Sequence, residues 1–206
     1  MVLSQLRPAL VLFLLLSVLT GLVYPLGMTA LSALILPEKA SGSLIHDKGW
    51  VIGSSLIGQD FTSPRYFHGR PSATMGPDPK DTTGTVPTPY NAAASLASNA
   101  GPTSRAMIER IAQATATLRA DNPDAMARGW HIPIDLVTTS ASGLDPDLSP
   151  GAALFQVLRV AKARNLDEER VRHLVLTQIQ QPFLGFLGEP HVNVLALNRA
   201  LDRLAQ

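Results

Sequence analysis

Between Arg7 and Glu38 the chain carries no charged side chain, and most of the residues between them are Leu, Val, Ala, Ile or Phe. A bilayer's hydrocarbon core of about 30 Å is crossed by about 20 apolar residues in a helix, and residues 8–36 supply that length with a margin. The sequence has only one such segment, so by itself the chain can neither enclose a pore nor alternate access. A cleaved secretory signal is the competing reading, since Arg7 gives a positive start to the apolar run. The run, however, outlasts the usual core of about 7 to 15 residues, and Leu31 stands where a cleavage site near Ser32-Ala33 takes a small residue. A retained transmembrane anchor after a short N-terminal segment, residues 1–7, is therefore expected. Arg7 lies on one side and Lys39 and Lys48 on the other, so basic residues barely discriminate the orientation. An extracytoplasmic C-terminal portion is allowed. The absence of cysteine removes disulfides, thiolate metal sites and a cysteine nucleophile.

Pro25 falls inside the anchor, where it removes a backbone donor and crowds the preceding turn, which predicts a kink. Ser17 and Gly21 are four residues apart, and Tyr24 and Met28 continue the same face at helical spacing. These four are candidate contacts for a neighbouring membrane helix, because small residues let helices approach closely.

Residues 37–206 fit one compact domain. A formal charge of +1 without charge runs leaves no electrostatic footprint for nucleic acid. Residues 50–57 read as a strand pair or a strand and turn punctuated by Gly53 and Gly58. Residues 62–103 read as a long irregular loop rich in Pro, Gly, Ser, Thr and Asn. A loop of that length is usually functional or disordered, and Arg65, Phe67, Arg70 and Tyr90 within it are candidate partner contacts. Ser104 caps a predicted helix with Met107, Ile108, Ile111 and Leu118 on one face, ending before Asn122-Pro123. Residues 132–137 read as a strand that starts or lies at an edge at Pro133. Further helices are expected after Ser149-Pro150, after Asp167 and after Asn193. The expected fold is a mixed α/β or α+β soluble domain behind one transmembrane helix.

No chemistry stands out. The five histidines never reach the paired spacing that ligates zinc. There is no Gly-x-Ser-x-Gly elbow and no Gly-Lys-Ser/Thr phosphate loop. Thr138, Thr139, Ser140 and Ser142 lie near Asp145, Asp147 and His131, but hydroxyls beside Gly143, Pro146 and Pro150 more often close a tight loop. Asp145 with Asp147, and Glu168 with Glu169, read as turn and helix-start carboxylates.

Four segments, taken together, resemble the C subunit of the bacterial Kdp potassium-transporting ATPase. They are Gly53-Ser54-Ser55-Leu56-Ile57-Gly58-Gln59, Gly69-Arg70-Pro71-Ser72, residues 137–146 (Val-Thr-Thr-Ser-Ala-Ser-Gly-Leu-Asp-Pro), and Gly185-Phe186-Leu187-Gly188-Glu189-Pro190 followed by Val192-Asn193-Val194. Tyr90-Asn91 and Ser98-Asn99 extend the likeness over nearly the whole chain, in order. Three positions depart from it. Leu96 stands in a stretch where the family often has glycine, which would strain Leu96 if that position holds a positive φ. His191 and Asp147 stand where Arg and His are expected.

The resemblance implies a single-pass protein of the bacterial inner (cytoplasmic) membrane, with its N-terminus cytoplasmic and its domain periplasmic or otherwise extracytoplasmic. Its partners would be a potassium-binding channel-like subunit, a P-type ATPase subunit, a small single-helix subunit and membrane lipid. ATP, Mg²⁺ and K⁺ would be used by the complex and no cofactor would be bound by this chain. The implied role is non-catalytic: the subunit stabilises the assembly, and the family is proposed to act as a catalytic chaperone that raises the ATPase subunit's affinity for ATP. On this reading Ser142, Gly143, Asp145 and Pro146, with Gly185, Gly188, Glu189, Pro190 and Asn193, are candidate structural hubs. A membrane-anchored envelope hydrolase and an extracytoplasmic ligand-binding domain are the alternatives from other classes.

Overall fold

The computed structural model describes residues 2–204 and divides into two compact units, Met1–Ser54 and Ser55–Gln206. The division falls after a hairpin, rather than at the end of the apolar helix where the sequence suggests it.

In the first unit, α1 (Val2–Val18), a π-helical turn (Leu19–Val23) and α2 (Tyr24–Ile35) form one continuous helical run. Its Ser4–Ile35 portion has 32 residues and contains an 18-residue stretch with a mean hydropathy of 2.4, long and apolar enough to cross a membrane. The π turn is the local answer to Pro25. With no N–H at Pro25 the carbonyl four residues back loses its donor, and the chain widens just before it, the Tyr24 N–H reaching back to the carbonyl of Leu19. Thr20 and Thr29 also donate to the carbonyls of Leu16 and Pro25, at 2.7 and 2.8 Å, which keeps hydroxyls satisfied in an apolar setting. A π turn takes in one extra residue, so Tyr24 and Met28 are rotated by roughly 100° relative to the face of Ser17. The single stripe expected from Ser17 to Met28 is thus broken into two shorter ones, all four residues being exposed.

A short α3 (Pro37–Ala40) follows, then β1 (Leu44–Asp47) and β2 (Trp50–Ser54). The two strands pair antiparallel. Lys48 and Gly49 both hold positive φ, 47° and 86°, the geometry that matches a two-residue hairpin to strand twist. Of the strand and turn expected at 50–57, the strand ends at Ser54 and pairs back onto β1, and a turn follows at 55–56.

The second unit is α+β. Its first hairpin, β3 (Met75–Asp78) with β4 (Asp81–Pro87), lies inside the stretch expected to be irregular. Helix α4 (Arg105–Asp121) and the short α5 (Pro123–Ala127) come next. A 3-10 turn (Ile134–Leu136) replaces the strand expected at 132–137. The N–H groups of Leu136, Val137 and Thr138 all bond to Pro133 or Ile134, leaving no row of donors for a partner strand. Then come β5 (Asp147–Leu148), α6 (Pro150–Phe155), α7 (Val157–Arg164), α8 (Glu168–Thr177), β6 (Val192–Asn193) and α9 (Val194–Leu204). β5 and β6 pair antiparallel.

Helix starts follow the sequence. The side chains of Ser104, Ser149, Asp167 and Asn193 accept from the N–H three residues on, each satisfying a donor that the first turn leaves free. The core gathers Phe67, Leu148, Phe155, Val157, Val160, Val171, Val175, Val192, Leu197 and Leu201, drawn from α6 to α9, the β5–β6 pair and one loop residue. Ile108, expected on the inner face of α4, is exposed, and α4 buries no residue fully.

Candidate functional site

Motif residues from 55–58, 70–72, 140–147 and 193 meet in one polar cluster, and its logic is the pairing of loop backbone. Ser72 donates from Oγ to the carbonyl of Gly143 at 2.7 Å and accepts the Tyr90 N–H at 3.0 Å. Thr74 donates to the carbonyl of Thr88 at 2.6 Å and accepts the Asn91 N–H at 3.1 Å. The Tyr90 hydroxyl donates to the carbonyl of Arg70 at 2.6 Å. Burial, with the nearby Asp60 and Asp145 carboxylates, pushes that hydroxyl's pKa up, so it stays a donor. Arg70 pairs with Asp145 at 3.0 Å, while the other Asp145 oxygen accepts the Asp147 N–H at 3.1 Å.

The 140–146 segment is held from both ends. Ser140 and Ser142 accept the N–H groups of Gly143 and Leu144, and the Ser142 carbonyl receives both the Ser95 hydroxyl and the Leu96 N–H. Gly143 has a φ of 69°, and a Cβ there would lie 2.6 Å from the Leu96 carbonyl oxygen and 2.8 Å from Thr74 Cγ2, so only glycine fits. At Gly58 an added Cβ would strike the Tyr90 ring and come within 2.9 Å of the Asp145 carbonyl. Leu96 is not among the residues with positive φ, so the strain that would follow from a positive φ there is absent. Asn193 donates to the carbonyl of Ser55 at 3.0 Å and to Asp147 at 3.1 Å while capping α9. Burial raises the Asp147 pKa, opposed by Asn193 and by His191, whose Nε2 lies 4.0 Å from its carboxylate. Two of the three departures from the family pattern, Asp147 and His191, therefore face each other beside the β5–β6 pair.

Arg70, Asp135, Asp145, Asp147, Glu189 and His191 are among the residues lining an adjacent cleft of about 440 Å³. Among the described residues no group of three or more His, Cys, Asp or Glu side chains is disposed to hold a metal ion.

A second network straps residues 64–68 onto α7 and α9. Asn198 clamps Phe67 from both sides, accepting its N–H at 2.8 Å and donating to its carbonyl at 2.9 Å. Gln156 does the same for His68 at 2.8 and 3.0 Å. Arg159 donates to the carbonyls of Pro64 and Tyr66 and to Gln156, and burial lowers its pKa to about 10. Arg164 takes the Arg65 carbonyl, pairs with Asp202 and stacks 4.7 Å from the Tyr66 ring centre. Phe67 is consequently 0% exposed and must be withdrawn from the candidate partner contacts: a fully covered ring touches only its own core. Arg65 is exposed, whereas Arg70 and Tyr90 are half-buried and bonded within the cluster. Nothing in a run of Pro, Ser and Arg announced this strap. The signal was on the helices, where Gln156 and Asn198 interrupt otherwise apolar faces.

The expected hubs divide. Ser142, Gly143, Asp145, Pro146 and Asn193 take part in the cluster, Pro146 through its carbonyl, which accepts the Val194 N–H at 3.0 Å. Gly185, Gly188, Glu189 and Pro190 are exposed and lie outside the cluster, with Gly185 and Gly188 at positive φ of 80° and 98°. They belong to a projecting turn in which Phe183 and Leu187 exchange backbone bonds at 3.0 and 2.9 Å, above a rung between Gln180 and His191.

One apolar helix of bilayer-crossing length and an α+β domain whose shared motif residues fasten loops define a single-pass membrane protein with a loop-stitched domain. The family described as KdpC, the c chain of K⁺-transporting ATPases, matches residues 6–203, and the chain belongs to it. Similar proteins include a potassium-transporting ATPase KdpC subunit of Bradyrhizobium diazoefficiens, 59% identical over 203 residues and 98% of both chains. Another of the same description, from Rhodopseudomonas palustris strain BisB18, is 60% identical over 200 residues, 97% of this chain and 98% of its own.

Proposed function

We propose that this chain is a non-catalytic accessory subunit of an ATP-driven potassium import complex, anchored by its helix in the inner membrane with its domain on the extracytoplasmic side. It assembles with a potassium-binding channel-like subunit, a P-type ATPase subunit and a small single-helix subunit, which use K⁺, ATP and Mg²⁺; it binds no cofactor of its own. The observation that carries this reading, beside family membership, is that the hydroxyls of Ser72, Thr74, Tyr90, Ser140 and Ser142 are all engaged with loop backbone. A nucleophile needs its hydroxyl free for substrate and beside a base; these fasten segments far apart in sequence.

The domain stabilises the assembly and caps the external entrance of the potassium-binding subunit. An extracytoplasmic domain cannot touch cytoplasmic ATP, so the chaperone effect on ATP affinity operates as a coupling through the transmembrane partners. Purification of the tagged full chain in mild detergent tests the reading. Co-elution with the P-type ATPase subunit supports it, and a monomer under conditions that preserve the complex contradicts it. Within assembled complexes, Ser142→Ala leaves K⁺-stimulated ATP hydrolysis per complex unchanged; selective loss of turnover would contradict the non-catalytic role.

A further inference from the structure

The turn at 182–188 presents Phe183, Leu184, Phe186 and Leu187 at 71%, 69%, 72% and 52% exposure. It is not a slack loop: besides the bonds across Phe183 and Leu187, Gly185 N–H bonds to the Pro182 carbonyl at 2.9 Å. Leu184 holds a φ of 54°, a conformation that costs a non-glycine residue free energy. The backbone is thus kept strained where it displays an apolar side chain, a pattern concentrated at functional positions. No Lys, Arg, Asp or Glu lies between Arg172 and Glu189.

The tip's apolar surface is on the order of 400 Å², the size of the largest exposed apolar patch on a typical soluble monomer, which is often a functional one. It is about half of what one partner contributes to a standard protein interface, and it is a convex knob. A knob of this size suits a fluid apolar medium, provided that medium is always close. Residues 36–54 join the end of the membrane-crossing helix to the second unit and reach at most roughly 65 Å when fully extended. Such a tether keeps the bilayer surface at high effective concentration, so a weak second anchor suffices.

We propose that the Phe183–Leu187 tip inserts into the interfacial layer of the lipid bilayer, as a second membrane contact of the domain. The inference rests on Ser4–Ile35 being a retained span.

The chain's lack of cysteine makes the test clean. Full-length Phe186→Cys carries an environment-sensitive fluorophore in phosphatidylcholine/phosphatidylglycerol vesicles, with Leu184→Cys as a second reporter and Gln113→Cys on the exposed side of α4 as reference. Lipids spin-labelled near the headgroup quench both tip labels about twofold, as insertion of about 5–10 Å requires, and leave the reference unquenched. Vesicles are first washed with alkaline carbonate. A chain that washes off overturns the span and the tip proposal together. A chain that stays with tip labels no more quenched than the reference overturns the tip proposal alone. Labels shielded only when the partner subunits are co-reconstituted, without lipid quenching, assign the tip to a protein socket and overturn it as well.

Discussion

The strap at Pro64–His68 and the turn at Phe183–Leu187 are both loops with a proline within three residues of a phenylalanine, yet Phe67 is fully buried and Phe183 and Phe186 are largely exposed. The difference lies in who pairs the backbone. A loop can enter a core only if its N–H and C=O groups find partners, and the α6–α7 junction, α7 and α9 supply them through Gln156, Arg159, Arg164 and Asn198. The 183–187 turn pairs its own backbone across itself, so it can project with its side chains outward. Loop composition does not decide burial; the polar residues of distant helices do.

The sharpest way to break this contrast is a pair of truncations. Phe67→Ala destabilises the domain by about 3–5 kcal/mol, whereas Phe186→Ala changes stability by no more than about 0.5 kcal/mol, read from denaturant unfolding of the full chain in detergent. Equal costs would erase the distinction. Asn198→Ala leaves the buried Phe67 N–H and carbonyl unpaired and costs about 2–4 kcal/mol in the same assay; a change below about 0.5 kcal/mol would show that the clamp contributes nothing. Gly143→Ala forces a contact with Leu96 at positive φ and costs about 1–3 kcal/mol. At Gly185, also at positive φ, an added Cβ meets nothing within 4 Å, so Gly185→Ala carries only the conformational penalty of about 1–2 kcal/mol.

The smallest effect is on pH dependence. Burial, then the Arg159 charge, lowers the His68 pKa below its ordinary 6.5. With the folded value below the unfolded one, the stabilisation is complete above about pH 6.5 and declines as pH falls through the folded value. His68→Gln flattens that segment of the stability–pH curve; an unchanged slope would mean the strap does not hold His68 neutral.

Much of this architecture was readable in advance. The membrane-length run and the four helix caps at Ser104, Ser149, Asp167 and Asn193 follow from local rules, because a cap and its target lie within one turn. Strand β1 escaped because Leu44–Asp47 is short and half polar, and its identity comes from β2. Residues 132–137 carried strand-like composition but spent their donors on a local turn. The candidate site was half legible: its glycines and hydroxyls marked 140–146 as a fixed loop, but no spacing rule connects Ser72 to Gly143 or Phe67 to Asn198. The glycines at 185 and 188 do mark backbone at positive φ, but that freedom serves a buried loop and an exposed turn alike, so the exposure of this turn was not legible.

Amide hydrogen exchange of the full chain in detergent tests the central contrast most directly. The account predicts that the amides of Phe67 and His68 exchange only through global unfolding, while those of Leu184 and Phe186 exchange orders of magnitude faster through local motion. Exchange at Phe67 and His68 as fast as at the 183–187 turn would contradict it.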